Sequence, residues 1–130
     1  MHKSLVAAAA LLGGIGVALG AFGAHGLQSA TSDEKIIHGF QTGVQYQVYH
    51  ALALLALAVI IEKLPGKLAV WSARCFIIGT ILFSGSLYLI TFLKIQGSSA
   101  VSFVGPVTPL GGVFFIAGWL FLFFAAIKKN

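Results

Sequence analysis

The stretch HGFQTGVQYQVYHALALLALAVII, residues 38–61, changes character halfway along. Its second half is an unbroken run of Ala, Leu, Val and Ile, whereas its first half contains three Gln, two Tyr, one Thr and two His. The stretch contains no proline and no formally charged residue, and it is long enough for one membrane-spanning helix. It therefore predicts a helix that carries hydrogen-bonding groups into the membrane, where they need protein or water as partners.

The composition of the whole chain points to lipid as its main solvent. Of 130 residues, 58% are hydrophobic and 8% are charged, whereas a soluble domain carries roughly 25% charged residues. Four apolar runs have spanning length, and they predict one all-α transmembrane domain, residues 1–130, built as a four-helix bundle. We number these runs as spans 1 to 4: about 4–26, 41–61, 69–93 and 107–127. Span 1 resembles a signal peptide but is longer than a usual signal core, so we expect it to be retained.

The basic residues predict how the chain crosses the membrane. Six of them lie at the ends of the chain or around the connection between spans 2 and 3: Lys3, Lys63, Lys67, Arg74, Lys128 and Lys129. Two, Lys35 and Lys94, lie on the other side. The positive-inside bias therefore predicts a multi-pass protein of the cell membrane with both termini in the cytoplasm. The net charge of +5 is dispersed, which argues against a nucleic-acid partner.

The connections between spans carry helix signals. Pro65 and Gly66 predict a tight turn between spans 2 and 3. Between spans 1 and 2 we expect a short interfacial helix capped by Ser32. Thr108 followed by Pro109 fits the N-cap and first residue of span 4.

Small residues form a stripe along spans 1 and 4. On a helical wheel they share one side of each span: Gly13, Gly16, Gly20 and Gly23 in span 1, and Gly111 and Gly118 in span 4. Helices in membranes approach each other closely along such stripes, either within a chain or between chains. We interpret them as packing faces that support a homo-oligomer.

Polar side chains cover about half of the circumference of span 2. The candidates for a cavity or a hydrogen-bond network there are Gln41, Thr42, Gln45, Tyr46, Tyr49 and His50, while Gln47 points elsewhere. A matching stripe in span 3 contains Thr80, Ser84, Tyr88 and Thr91. Two interpretations stay open: a structural hydrogen-bond network between the spans, or a cavity that holds water or a ligand.

Other chemistry has few candidates. His25 and His38 flank the first connection, but a metal site needs more ligands than these two, so we predict no metal. The three carboxylates lie near the ends of spans, which leaves hydrolytic acid–base catalysis without obvious groups. We expect no enzyme activity and no cofactor, although a bound lipid or quinone fits the composition.

Four motifs together resemble a known family. They are GAFGAHGL (20–27), FQTGVQYQVYHALALL (40–55), GTILFSGSLY (79–88) and GPVTPLGGVFFIAGW (105–119). In this order they are similar to the YgdD/YwdK-like small bacterial membrane proteins, domain of unknown function 423, with a eukaryotic relative called transmembrane protein 256. The resemblance implies a four-helix integral membrane protein and brings no assigned activity.

Three functional hypotheses follow. The first is a structural or accessory protein that self-associates through its glycine-rich faces, with membrane lipids and an unidentified protein as further partners. The second is a small channel or carrier for an uncharged solute, water or protons. The third is a lipid- or quinone-binding protein in which Tyr46, Tyr49 and His50 hold a polar head group.

Overall fold

The structure is a computed structural model that describes residues 2–129. Four long helices carry the fold, and each is long and apolar enough to cross a membrane: α1 (Lys3–His25), α3 (Glu34–Ile60), α4 (Leu68–Ile95) and α6 (Val107–Ile127). Two single-turn helices, α2 (Leu27–Ala30) and α5 (Val101–Val104), precede α3 and α6, and a 3₁₀ turn (Ile61–Lys63) follows α3. The described chain is thus all-helical, and the prediction of four spans is confirmed.

The helices pack in sequence order. α1 packs mainly on α3, α3 on α4, and α4 on α6. The largest fully buried apolar side chains include Leu54 and Leu57 of α3 and Phe76 of α4. The central pair, α3 and α4, therefore forms the middle of the bundle, with α1 and α6 on its flanks.

Both ends of the described chain lie at one end of the bundle. The amide of His2 donates to the carbonyl of Ala58, 2.9 Å away. At the other terminus, the Lys128 ammonium lies against the turn at Gly66, where an added Cβ would be 3.3 Å from Lys128 Nζ. We refer to this end, which carries His2, the 61–67 connection and Lys128, as the basic end.

The start of α3 differs from its prediction. The helix begins at Glu34 rather than at residue 41, and its N-cap is Asp33, whose side chain accepts from Lys35 N at 2.9 Å. Residues 34–40 are therefore the first two turns of α3, and the separate interfacial helix capped by Ser32 was a wrong prediction. Nothing between residues 34 and 60 breaks a helix, so the segment continues into the span. The short helix of this connection is α2.

The predicted start of α6 also needs correction. The helix begins at Val107, so Thr108 lies within its first turn and is not the N-cap. Instead, its hydroxyl Oγ1 lies 2.5 Å from Ser86 Oγ of α4, which ties the start of α6 to its neighbour. Pro109 fits this first turn because amides there have no intrahelical acceptor.

The glycine face of α1 is occupied by α3. An added Cβ on Gly16 would lie 2.9 Å from Val48 Cγ2, and one on Gly23 would lie 2.9 Å from the Phe40 ring. Contacts under 3.0 Å exclude a side chain there unless a neighbour moves. Gly20 and Gly13 meet α3 less closely, at 3.3 Å from Val44 and 3.9 Å from Ala51. This stripe therefore brings two helices of the same chain together.

The glycine face of α6 is occupied by α4. An added Cβ on Gly118 would lie 2.7 Å from the Phe76 ring, and one on Gly111 would lie 2.8 Å from Phe83 Cα. Gly111 and Gly118 are both buried. Both glycine faces thus close contacts within one chain, and we correct the expectation that they are available to join two copies.

This packing predicts opposite effects for one substitution at two glycines. Gly111→Ala pushes a methyl group against the Phe83 backbone, so we expect a loss of about 1–3 kcal/mol in the free energy of unfolding. Gly85→Ala in α4 meets open space, so we expect no loss and up to about 1 kcal/mol of gain from reduced backbone entropy in the unfolded chain. Unfolding titrations in mixed micelles measure both, and equal effects would contradict the close approach at Gly111.

Candidate functional site

One glutamine bridges three helices in the interior. Gln47 of α3 is 3% exposed. Its Nε2 donates to the carbonyl of Leu12 in α1 at 2.8 Å, and its Oε1 accepts from Tyr88 OH of α4 at 2.6 Å. Since no water competes within a membrane, these bonds replace the solvation that both polar groups lack. Gln47 therefore links α1, α3 and α4 through a single side chain.

A second hydrogen bond joins α3 to α4 one turn away. Ser84 Oγ of α4 donates to the carbonyl of Gly43 at 2.6 Å. An added Cβ on Gly43 would lie 3.0 Å from Tyr88 Cε1 and 3.2 Å from Leu87 Cβ. The absence of a side chain at Gly43 therefore lets the two backbones come close enough for the serine to reach across.

His50 is the second buried polar side chain of α3. Its Nδ1 lies 2.7 Å from the Tyr46 carbonyl, and Trp119 Nε1 of α6 donates to its Nε2 at 3.1 Å. A carbonyl only accepts and an indole N–H only donates, so the tautomer with hydrogen on Nδ1 satisfies both contacts. The imidazole also stacks on Phe115, with ring centroids 3.6 Å apart and planes 8° from parallel. Both nitrogens are engaged, which leaves neither for a metal or a ligand in this arrangement.

The residues of the predicted polar face of span 2 differ in their burial in the structure. His50 points into the bundle, Thr42 Oγ1 donates to the His38 carbonyl of its own helix, and the remaining members are exposed: Gln41, Gln45, Tyr46 and Tyr49. Gln47, which helical-wheel reasoning set aside, is central instead. The inward face of α3 runs in steps of four and three residues through Gly43, Gln47, His50, Leu54 and Leu57. That heptad spacing is the sequence signal that identifies Gln47 as an interior residue.

The predicted stripe of span 3 is buried apart from the half-buried Tyr88, but only two of its members bond to another helix. Ser84 and Tyr88 bond to α3, as expected. Thr80 and Thr91 donate to carbonyls four residues earlier in α4, each at 2.8 Å. Ser86, which the sequence analysis did not select, contributes the contact with Thr108.

His25, the last residue of α1, and His38, in the second turn of α3, are exposed and do not bond to each other. His38 lines an open surface pocket of about 770 Å³ together with Gln28, Glu34 and Gln41, whereas His25 lies outside it. Within residues 2–129, no group of three or more His, Cys, Asp or Glu side chains is arranged to hold a metal ion.

An aromatic crevice lies beside His50. It has a volume of about 310 Å³ and is lined by residues of α3, α4 and α6. Its lining includes Tyr46, Phe83 and Trp119 together with His50. The crevice has the flat aromatic walls that suit a planar ring.

The Gln47 bridge predicts a measurable coupling with Tyr88. Gln47→Leu leaves the Tyr88 hydroxyl without its acceptor, so we expect a loss of about 1–3 kcal/mol in the free energy of unfolding. Tyr88→Phe removes this unpaired hydroxyl. We therefore expect the double-variant cycle to give a coupling energy of about 0.6–1.7 kcal/mol between the two side chains. Unfolding titrations of the four proteins measure it.

Gln45→Leu is the matched control for this cycle, because Gln45 lies two residues away and is exposed. In a detergent that keeps the protein monomeric, we expect a change within about 0.5 kcal/mol. Additive effects of Gln47→Leu and Tyr88→Phe would show that the two side chains do not support each other.

Comparison with known proteins gives relatives along nearly the whole chain. Residues 19–112 match the family described as "Protein of unknown function (DUF423)". The UPF0382 membrane protein YwdK of Bacillus subtilis is 44% identical over 115 residues, which cover 88% of this chain and 88% of the relative. The UPF0382 inner membrane protein YgdD of Escherichia coli K12 is 43% identical over 120 residues, covering 92% of this chain and 86% of the relative.

A third relative extends the match to the full chain. A UPF0382 membrane protein of Haemophilus influenzae is 38% identical over 130 residues, covering 100% of this chain and 98% of the relative. No solved structure matches the chain. With relatives of this identity and coverage, all named as membrane proteins, and four helices of spanning length, the chain belongs to the DUF423 family, a membrane protein family of unknown function.

Proposed function

We propose that this chain is a non-catalytic accessory protein of the cell membrane that self-associates through the exposed side of α3. The observation that carries the proposal is Gln45, a glutamine that faces away from the bundle well inside a spanning helix. It lies about 16 Å along the axis from Glu34 and about 22 Å from Ile60 at 1.5 Å per residue. Its amide therefore lies within the membrane thickness for any placement of α3 that spans the bilayer.

The Gln45 amide has no hydrogen-bond partner among the residues that the structure describes. Among residues 2–129, its side chain makes no hydrogen bond to protein. An amide in hydrocarbon without a hydrogen bond costs several kcal/mol on transfer scales, roughly 4–8. The neighbouring Gln47 has both its amide oxygen and its amide nitrogen hydrogen-bonded to protein. Gln45 has no such bond among residues 2–129, which favours a partner from outside the chain.

A second copy satisfies this requirement with the chemistry already present. A carboxamide carries both a donor and an acceptor, so Gln45 of one copy bonds to Gln45 of another across a two-fold axis. Gln41 and Tyr49 lie four residues to either side on the same exposed face and extend the contact. We call these three residues the exposed polar stripe. The glycine faces are covered by the chain's own helices, which leaves this stripe as the contact surface we propose.

The interior favours this role over a channel or carrier. Gln47, Ser84 and Tyr88, which would line a path between α3 and α4, bond directly to protein atoms at 2.6–2.8 Å. Such direct bonds fill the positions that water or a solute would need. The network is therefore interpreted as structural.

The orientation is part of the proposal. Lys63, Lys67 and Lys128 belong to the basic end, and the positive-inside bias assigns that end to the cytoplasm. Both termini are then cytoplasmic, and the first half of α3, with the exposed polar stripe, lies toward the outer leaflet.

A second candidate function is the binding of a quinone or lipid head group, and the aromatic crevice favours it. The Tyr46 hydroxyl is the polar group available there, because both His50 nitrogens are engaged. Trp119→Leu removes one wall, and loss of co-purifying quinone or lipid from that variant, with unchanged self-association, would support this candidate over the first.

Self-association is tested by energy transfer between differently labelled copies in phosphatidylcholine vesicles. A membrane-embedded hydrogen bond contributes about 0.6–1.7 kcal/mol, so we expect Gln45→Leu to weaken association about three- to twenty-fold. Gln96→Leu is the matched control: Gln96 is also exposed but lies just beyond the end of α4, and we expect no change.

Cross-linking locates the contact independently. In a Cys75→Ser background, Gln45→Cys should form a disulfide between copies, whereas Leu120→Cys on the exposed side of α6 should not. Unchanged association of Gln45→Leu, together with no cross-link at position 45, would reject the exposed polar stripe as the interface.

A further inference from the structure

We infer that the groove between α4 and α6 near the basic end binds an anionic phospholipid, with its phosphate on Arg74 and an acyl chain along the groove. The groove has a volume of about 370 Å³ and is lined by Trp71, Arg74, Cys75, Val113, Ala117 and Phe121, among others. Its walls are apolar apart from the guanidinium. This combination, one cation in the lining of an otherwise apolar groove, matches the two parts of a phospholipid.

Arg74 is a cation without a partner in the described part of the chain. It is exposed, and among residues 2–129 it makes no hydrogen bond and no ion pair. It lies within α4, about 9 Å along the axis from Leu68. A charged group at this depth directs its head toward the membrane surface and pairs with an available anion. The phosphate layer is the source of anions at that level.

The guanidinium suits a phosphate in particular. Its planar fork of N–H donors binds two oxygens of one phosphate at once, which a lysine ammonium does not do. Lys67 and Lys128 lie at the same end of the bundle and add to the positive potential, and basic residues near a membrane surface attract anionic lipids. Charge complementarity therefore favours an anionic lipid over a zwitterionic one.

The apolar part of the groove suits an acyl chain. From Trp71 to Ile78 along α4 and from Val113 to Phe121 along α6, it extends about 10–12 Å parallel to the helices. Trp71 packs edge-on against Phe121, with ring centroids 6.0 Å apart. Tryptophan is enriched at the level of the head groups, so Trp71 and Arg74 mark the same depth.

The test uses the full-length protein in phosphatidylcholine vesicles that contain a trace of spin-labelled phosphatidylglycerol or spin-labelled phosphatidylcholine. Electron paramagnetic resonance gives the fraction of label immobilised by the protein. One basic residue near the surface is worth about 1 kcal/mol of attraction, so we expect about a fivefold preference for phosphatidylglycerol. We expect Arg74→Gln to reduce this preference to near unity, while Lys128→Gln, a charge change at the same end, retains most of it.

A second variant tests the groove without changing a charge. Ala117→Leu fills the channel, and we expect it to release the specifically held lipid as Arg74→Gln does, with unchanged helix content. Equal immobilisation of the two lipids by the wild type, or equal losses in Arg74→Gln and Lys128→Gln, would overturn the site in favour of diffuse surface charge. A change of oligomeric state in Ala117→Leu without a change in lipid preference would mean that the groove holds a protein helix, which also overturns it.

Discussion

The absence of water inside the bilayer is the constraint on which this structure depends, and Gln47 is where the constraint acts most strongly. In hydrocarbon, apolar side chains gain little by packing on one another rather than on lipid. A buried amide, by contrast, cannot be left without partners. Gln47 finds one partner in Leu12 of α1 and another in Tyr88 of α4. Separating either neighbour from α3 therefore exposes an unpaired group, which fixes the positions of three helices.

The glycines and the hydrogen bonds act together. Gly16 lies where α1 crosses Gln47, and an added Cβ there would be 3.6 Å from Gln47 Nε2. Gly43, where α3 meets α4, lets Tyr88 and Ser84 of α4 come equally close to the α3 backbone. A side chain at either position would separate the backbones and lengthen the bonds. Gly16 and Gly43 are thus the geometric condition for these polar contacts, and this explains why the glycine stripe of α1 is used inside one chain.

Much of the fold could be predicted from the sequence, because length and composition decide whether a segment can span a membrane. The inward direction of α3 could not be read from polarity. Within a membrane, polar side chains are expected to face the protein interior. In α3, however, the side with the most polar residues, including Gln41, Gln45 and Tyr49, is the outward one. The heptad spacing of Gly43, Gln47 and His50 indicates instead which side of α3 faces the interior. The start of α3 was missed because the helix capped by Asp33 continues without a break through residues 34–40 into the apolar span.

The same constraint identifies which residues act beyond the chain. The interior polar side chains of α3 and their partners in α4 and α6 are paired within the described residues, so they account for stability rather than for contact with other molecules. Gln45 and Arg74 differ from them because both lie within spanning helices, face outward and have no partner in the described chain. One is a neutral amide, which we propose pairs with the same amide of a second copy, and the other is a cation, which we propose pairs with an anionic lipid. Polar groups of such different chemistry, on different helices, need different partners, so the proposed external contacts divide between a second copy of the chain and a lipid.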